Sequence, residues 1–256
     1  MVEGMAGDRE TIWRVFLFGA FEVWMGERRT DPGLWSSRSV RKLLAFLLLR
    51  HPDPLPREEL AETLFPSSDP SSSERSFYFA LAGLRRSFKR LGVGSAVICQ
   101  NGSYSFHPRF RFRVDARDFL SALEAEASGE EGLRRLEEVL SLYRGEFLAG
   151  IKRCSWVQGE RERFRSLYVR ACRRKGEILL ALGRREEARE AYLEGFFRYP
   201  ERGELLLPLA RLSLEAEGAG VLRRALSLHF QRLRRLGRLP LPQVAALYRK
   251  LGLPGG

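Results

Sequence analysis

Arginine side chains that can bind phosphate are concentrated in one short part of the sequence. Residues 74–114 carry eight basic side chains and one acidic side chain, a net charge of +7, whereas residues 1–73 have a net charge of −2. Nearly all the positive charge of the chain is arginine, whose forked donors fit phosphate oxygens and the guanine edge. A genome-wide preference for arginine codons is an alternative explanation of the arginine content. The local excess itself predicts a nucleic-acid contact.

The spacing of apolar residues in this basic segment predicts a helix with two faces. Phe77, Leu81, Leu84 and Phe88 recur at helical intervals and form the expected core face. Steps of 100° per residue place a different set on the opposite face, which we expect to enter the DNA major groove. That set is Ser72, Arg75, Phe79, Ala82, Gly83, Arg86 and Arg90.

We assign roles to this face by side-chain chemistry. Arg75, near the helix start, is expected to contact a base edge or a phosphate, and Arg86 and Arg90 are expected to contact backbone phosphates. Phe79 either contacts a thymine methyl group or packs against the preceding helix. Flanking candidates are Arg85 and Lys89, with Ser72, Ser73 and Ser76 as phosphate donors at the helix N-terminus.

A second basic group follows in the segment HPRFRFRV. In a strand, Arg109, Arg111 and Arg113 share one face because side chains alternate. That face is expected to meet the minor groove or nearby phosphates, as wings do. The alternative is an edge strand whose charges prevent aggregation.

The flanking patterns predict the elements that position these side chains. Alternating aromatic and β-branched residues over 13–24 predict two short strands, and helical spacing over 37–51 predicts a first helix capped by Ser37 or Ser39. A short second helix follows over 57–65, and Asn101-Gly102 predicts a type I′ hairpin after the basic helix. Three helices and a hairpin predict a winged helix-turn-helix.

Several motifs in this order resemble a known family. FGAFEV, RKLLAFLLLRHPDPLPREELAETLF, ALAGLRRSF, NGSYSF and VDARDF are similar to the OmpR-type winged helix of the Streptomyces antibiotic regulatory protein (SARP) family. The resemblance implies a transcriptional activator that binds double-stranded promoter DNA, with two protomers on direct repeats, and that contacts RNA polymerase through its activator domain or the loop between helices two and three. It also implies DNA contacts at Arg75, Ser76, Tyr78, Ala80, Gly83 and Arg85. Ala80 and Gly83 depart from the larger polar or basic residues common there.

The rest of the chain is predicted to be helical. LSLYRGEFLAG and SWVQGERERFRSLYVRA resemble the bacterial transcriptional activator domain, and residues 182–200 resemble a tetratricopeptide unit through Gly183, Ala188, Tyr192 and Pro200. Ala225 and His229 indicate a degenerate second copy 37 residues later. We therefore expect a mainly α protein with a winged helix with a small sheet over 1–114 and a helical-repeat activator domain over 115–256.

Other classes of function find little support. No HExxH, GxSxG or phosphate-loop motif occurs, and the three histidines are far apart, so no catalytic residue, cofactor or metal site is expected. The cysteines lack CxxC spacing and are expected to be reduced, largely buried thiols. His51 is expected to interact with a helix dipole. No apolar run is long enough to span a bilayer and the N-terminus lacks a signal-peptide pattern, so a cytoplasmic location without membrane contact is expected.

An adaptor protein is the alternative function. Ala80 and Gly83 would suit a winged helix that no longer recognises a sequence, while the helical repeats would bind proteins. The last segment, 218–256, has eight basic and no acidic side chains. Its arginines either hold an acidic partner or form a solvated helix face; the run is Arg223, Arg224, Arg232, Arg234, Arg235 and Arg238.

Overall fold

The computed structural model describes residues 11–94, 96–124, 128–214 and 219–251. The chain divides into two compact units. The first unit comprises residues 1–121 and 142–162, and the second comprises 122–141 and 163–256. The boundary that we expect between sequence domains at 114/115 stays a prediction.

The first unit contains two small sheets, and three of its α-helices come before the hairpin of the second sheet. Its strands are β1 (Ile12–Phe16), β2 (Glu22–Met25), β3 (Arg28–Arg29), β4 (Leu55–Pro56), β5 (Val97–Gln100), β6 (Ser103–Phe106) and β7 (Arg111–Val114). Its helices are α1 (Arg38–Arg50), α2 (Arg57–Leu64), α3 (Pro70–Arg90) and α4 (Asp115–Glu124). One sheet has the order β3-β2-β1-β7, with β7 parallel to β1, and the other has the order β4-β6-β5. This arrangement confirms the predicted winged helix-turn-helix.

Local signals in the sequence explain where these elements begin and turn. The Ser37 side chain accepts a hydrogen bond from the Val40 backbone N–H at 3.4 Å and caps α1, as predicted. In the β5–β6 hairpin Asn101 and Gly102 both have positive φ, +49° and +78°. A type I′ turn requires that conformation at its two central positions. The turn therefore fixes the register of the hairpin behind α3.

The core of the first unit lies under α3. Phe77, Leu81, Leu84 and Phe88 are all buried, which confirms the predicted core face. Phe88 packs against Trp13 and Trp35 with ring centroids 5.3 and 5.6 Å apart. Aromatic side chains of this size bury a large area, so α3 is held firmly to the sheet and to the short turn that precedes α1.

A buried carboxylate joins the two ends of this unit in sequence. Asp115, at the start of α4, accepts hydrogen bonds from the backbone N–H groups of Leu17 at 2.8 Å, Phe18 at 3.0 Å and Ala116 at 2.7 Å. The guanidinium of Arg144 lies 3.9 Å away. Burial raises the pKa of Asp115 to about 6, although the three N–H donors and Arg144 oppose that shift.

A segment from the later part of the chain completes the first unit. The backbone N–H of Gly19 donates to the Glu146 carbonyl at 3.0 Å, and that of Leu148 donates to the Leu17 carbonyl at 2.8 Å. Phe18 and Phe147 form an antiparallel bridge. Residues 142–162 thus extend the winged-helix core.

The second unit is built from helices. The helices that begin after α4 are α5 (Gly129–Leu142), α6 (Ser155–Ala181), α7 (Arg185–Arg198), α8 (Leu206–Leu214), α9 (Ala219–Leu236) and α10 (Pro242–Lys250). Ala188 and Tyr192 are fully buried on α7, and the corresponding Ala225 and His229 are buried on α9. A Cβ at Gly176 would lie 2.2 Å from the Tyr192 ring, so this glycine allows two helices to approach closely. The predicted helical-repeat architecture is confirmed.

We predict that replacing Asp115→Asn destabilises the first unit in a pH-dependent way. The asparagine side chain places its NH₂ group against backbone N–H donors that the carboxylate had accepted from. The free energy of unfolding should therefore fall by about 1–3 kcal/mol at pH 7. The pKa of Asp115 is about 6 in the folded state, above its ordinary value of 3.8. The folded state therefore binds a proton on this carboxylate more tightly than the unfolded state does. The contribution of Asp115 to wild-type stability consequently falls as the pH rises from about 4 to about 6. The asparagine lacks that contribution, so its deficit in free energy of unfolding should grow as the pH falls from 7 to 4.

Urea unfolding followed by tryptophan fluorescence measures this effect on the first unit alone. All four tryptophans, Trp13, Trp24, Trp35 and Trp156, belong to it. Asp118→Asn is the control. Asp118 lies on the same helix, but its charge partner is the surface residue Arg113, at 3.8 Å. A deficit that stays constant or shrinks toward pH 4 would contradict the assignment.

Candidate nucleic-acid interface

One face of α3 is open to solvent along its length. Arg75, Ala82, Arg86 and Arg90 are exposed, and Phe79 is 77% exposed. Within the described residues none of these three arginines lies within 4.0 Å of a carboxylate. The exposure of Phe79 contradicts the alternative in which it packs against the preceding helix. We call Arg75, Phe79, Arg86 and Arg90 the α3 row.

The contacts of Tyr78 fix the neighbouring helix to α3. Its hydroxyl accepts a hydrogen bond from Arg57 at 3.4 Å, and the same guanidinium forms an ion pair with Glu74 at 2.8 Å. Burial, with hydrogen bonds to Cys99 and Tyr78, raises the pKa of the Tyr104 hydroxyl above its ordinary value. Arg57 therefore joins α2 to α3 through Tyr78 and Glu74, and 43% of Tyr78 stays exposed.

The hairpin is also held directly to the helices. Arg85 donates to the Val97 carbonyl on β5 at 3.3 Å. The backbone N–H of Arg57 donates to the Gly102 carbonyl in the hairpin turn at 3.1 Å. The rings of Phe77 and Tyr104 are 5.1 Å apart. The hairpin and α3 thus form one preorganised surface.

A basic depression lies where α3 ends. It has a volume of about 270 Å³, and its lining includes Arg85, Lys89 and Gly94. Arg109 reaches the same place: its Nη2 is 3.2 Å from the position that a Cβ on Gly94 would occupy. The Arg109 guanidinium also packs over the Phe110 ring at 5.0 Å. Three cations around a concave surface provide the chemistry that a backbone phosphate requires.

Three predicted contact positions on α3 face inward instead. Ser73 is 3% exposed and Ala80 is fully buried. A Cβ on Gly83 would lie 2.8 Å from Cγ2 of Val40, so Gly83 packs against α1. The reason is that α3 packs against both α1 and α2, and its buried arc is wider than a single stripe. Placing Gly83 on the exposed face was therefore wrong, and Ser73 is too buried to act as the expected phosphate donor.

The start of α3 differs from the predicted phosphate site. The helix begins at Pro70, and the Asp69 side chain caps it by accepting from the Ser71 backbone N–H at 3.0 Å. A carboxylate already occupies the positive end of the helix dipole. Ser72 is half-buried and Ser76 is exposed in the helix interior. An N-terminal anion site built on serines is therefore disfavoured.

The strand that carries Arg111 and Arg113 belongs to the other sheet. Both side chains are exposed on β7, which pairs with β1 and forms a sheet edge, whereas the hairpin sheet is β4-β6-β5. Arg113 lies 3.8 Å from Asp118. This placement favours the edge-guarding alternative for these two arginines and separates them from Arg109.

Two smaller expectations concern His51 and the cysteines. Burial, with a contribution from Arg117, lowers the pKa of His51, so its charged form is disfavoured at the end of α1. Its ring packs against that of Phe112, with the ring centroids 5.7 Å apart, and its interaction with the helix dipole stays a prediction. Cys99 is exposed, whereas Cys154 and Cys172 are buried.

Comparison with known proteins identifies the family. The family model of the bacterial transcriptional activator domain matches residues 110–251, more than half of the chain. The chain belongs to the bacterial transcriptional activator domain family. This membership confirms the predicted SARP resemblance, and the chain is a transcriptional activator of the SARP type. The family domain includes residues 142–162, so part of it folds into the first unit.

A solved structure supports the fold of this bacterial transcriptional activator domain protein. The structure of Mycobacterium tuberculosis EmbR in complex with a low-affinity phosphopeptide matches with a TM-score of 0.68 and 18% identity, over 96% of this chain and 67% of that chain. No curated protein sequence matches the chain. In the described part of the chain no helix has the length and apolarity of a membrane span, and no three potential metal-ligating side chains cluster.

We predict that Gly83→Ala destabilises the first unit despite the better helix propensity of alanine. The new methyl group would meet Val40 at 2.8 Å, and overpacking typically costs about 1–3 kcal/mol, against a propensity gain of up to about 1 kcal/mol. Adding Val40→Ala should relieve the clash, so the double-mutant cycle should give a coupling of at least about 0.5 kcal/mol.

Urea unfolding by tryptophan fluorescence measures all four corners of the cycle. Ala82→Gly, at the exposed neighbouring position, serves as the control and should lose about 1 kcal/mol through propensity alone. Stabilisation by Gly83→Ala would refute the close packing of α3 on α1.

Proposed function

We propose that the first unit binds promoter DNA sequence-specifically, with α3 in the major groove and the β5–β6 hairpin as the wing. The observation that carries the proposal is the α3 row, which is exposed and has no carboxylate partner in the described residues. Its helix is tied to the hairpin by Arg85 and by the Phe77–Tyr104 contact. A fixed helix and hairpin position several cations at once, which is how phosphate contacts set the register on a duplex.

The proposed contacts divide along α3. Arg86, Lys89 and Arg90 bind backbone phosphates, and Arg85 and Arg109 hold a further phosphate in the depression beside Gly94. Arg75 and Phe79, nearer the helix start, meet base edges. Tyr78 and Ser76 position the helix on the DNA backbone, and Ser72 lies at the margin of the contact surface. Arg111 and Arg113 add only long-range electrostatic attraction to DNA.

The buried positions on α3 argue against the adaptor alternative. Besides the basic C-terminal run, that alternative rests on Ala80 and Gly83, which are too small to contact bases. Ala80 is fully buried and Gly83 packs on Val40, so both are small because of packing inside the unit. Their size therefore gives no reason to doubt that the exposed face of α3 recognises DNA.

The family supports the wider arrangement. We propose that protomers bind direct repeats as a homodimer on the promoter, and that the activator domain, or the connection between α2 and α3, contacts RNA polymerase. The chain would act by recruitment and not by catalysis, and it would need no cofactor.

Fluorescence anisotropy against duplexes tiled from the upstream region of its own gene tests the proposal. If about six cations neutralise phosphates, affinity should fall roughly 10³-fold between 50 and 200 mM salt. A specific regulator should prefer one duplex by at least ~10³ over the others. Salt-sensitive binding without any preference among duplexes would favour the adaptor instead.

We predict that Arg86→Ala and Arg90→Ala weaken binding to all duplexes about equally. Each substitution removes a phosphate contact, so the slope of log affinity against log salt should fall by about 1 per arginine, with the sequence preference retained. Arg28→Ala, an exposed arginine on β3, removes the same charge away from α3. An equal effect of Arg28→Ala would mean that net charge, and not the α3 surface, drives binding.

We predict that Phe79→Ala reduces the ratio of the affinity for the best duplex to the affinity for the others. The slope of log affinity against log salt should stay unchanged. Losing the recognition of one base pair should cost about 1–3 kcal/mol at the preferred site and little elsewhere. Folding should not suffer, because the side chain is 77% exposed. Phe197→Ala, which removes a 55% exposed phenylalanine from α7, is the matched control. An unchanged preference in Phe79→Ala would remove Phe79 from the recognition surface.

A further inference from the structure

An open groove with an apolar floor lies between α9 and α10 in the second unit. Its volume is about 440 Å³. Phe230 and Leu233 form the floor; Leu233 is 4% exposed, and the Phe230 ring packs 4.0 Å from that of Tyr248. Leu239, in the connection between the two helices, lines the groove and is 92% exposed. A leucine this exposed beside an apolar floor is typical of a binding surface.

The edge of this groove is strongly cationic. Arg234, Arg238 and Arg249 line it together with the apolar residues. Segment 218–256 has eight basic and no acidic side chains, so none of its own side chains can neutralise these arginines. Within the described residues, neither Arg238 nor Arg249 lies within 4.0 Å of a carboxylate from another segment. Any occupant therefore meets guanidinium groups around a hydrophobic centre.

This combination selects the chemistry of the occupant. A nucleic-acid backbone would neutralise the arginines but would leave Leu239 and Phe230 without an apolar partner. Aromatic and arginine side chains around an apolar centre are enriched at protein–protein interfaces. We propose that this groove binds an acidic segment of a partner protein, which inserts a bulky apolar side chain over Phe230 and Leu233 and sets its carboxylates against Arg238 and Arg249. This inference goes beyond the proposed DNA contact and does not depend on it.

Selection of phage-displayed random twelve-residue peptides on the full chain tests the proposal. We expect enrichment of sequences that combine aspartate or glutamate with leucine or an aromatic residue. A fluorescein-labelled peptide of the most enriched sequence should bind the Arg238→Glu/Arg249→Glu variant at least ~10-fold more weakly than wild type, and Leu239→Asp should weaken it similarly. These side chains are exposed, so the variants should fold, as circular dichroism can verify.

The matched control is Arg223→Glu/Arg224→Glu, which reverses the same charge on α9 outside the groove lining. This control should leave peptide binding unchanged. Enrichment of peptides without acidic residues, no enrichment, or equal weakening by the control would overturn the proposal. So would a finding that Arg238→Glu/Arg249→Glu abolishes duplex binding or self-association while peptide binding is unaffected. Measuring duplex binding of the same groove variants distinguishes a failure of this proposal from a failure of the proposed DNA contact through α3.

Discussion

The first unit depends on a carboxylate that is almost completely removed from water. Asp115 accepts hydrogen bonds from Leu17, Phe18 and Ala116 and so joins the end of β1 to the junction of β7 and α4. An isolated buried carboxylate would be strongly disfavoured, and only this set of donors with Arg144 nearby makes the burial tolerable. Because β7 pairs with β1 in parallel, the same junction fixes the sheet on which α3 packs.

The packing of α3 explains why its sequence mixes arginines with very small residues. One arc must lie close to α1, where Gly83 meets Val40, and beneath the hairpin, where Phe77 meets Tyr104. The opposite arc carries long cationic side chains that no described carboxylate neutralises. On the same arc the side chain of Phe79 is 77% exposed, which leaves its ring accessible for the base contact proposed above.

Local signals predicted most elements, whereas long-range contacts did not follow from the sequence. Helical spacing, the Ser37 cap and the Asn101-Gly102 turn each act within a few residues, and each was predicted correctly. The role of Asp115 was missed because its partners Leu17 and Phe18 lie almost a hundred residues away, and a lone aspartate after a strand gives no sign of them. The helical wheel of α3 failed at Gly83 for a related reason: a wheel shows faces but not how many neighbours will cover them.

The distribution of carboxylates, more than the number of arginines, separates binding surfaces from solvated helices. In the second unit arginines such as Arg134, Arg173 and Arg184 are paired with glutamates three or four residues away along their own helices. Such pairs neutralise each other at the surface and contribute little to stability. Arg86 and Arg90 on α3 lie in a segment with a single acidic residue and have no such partner among the described residues. A codon preference would raise the arginine content everywhere alike, but it would not remove glutamate from the segments where the exposed arginines stand.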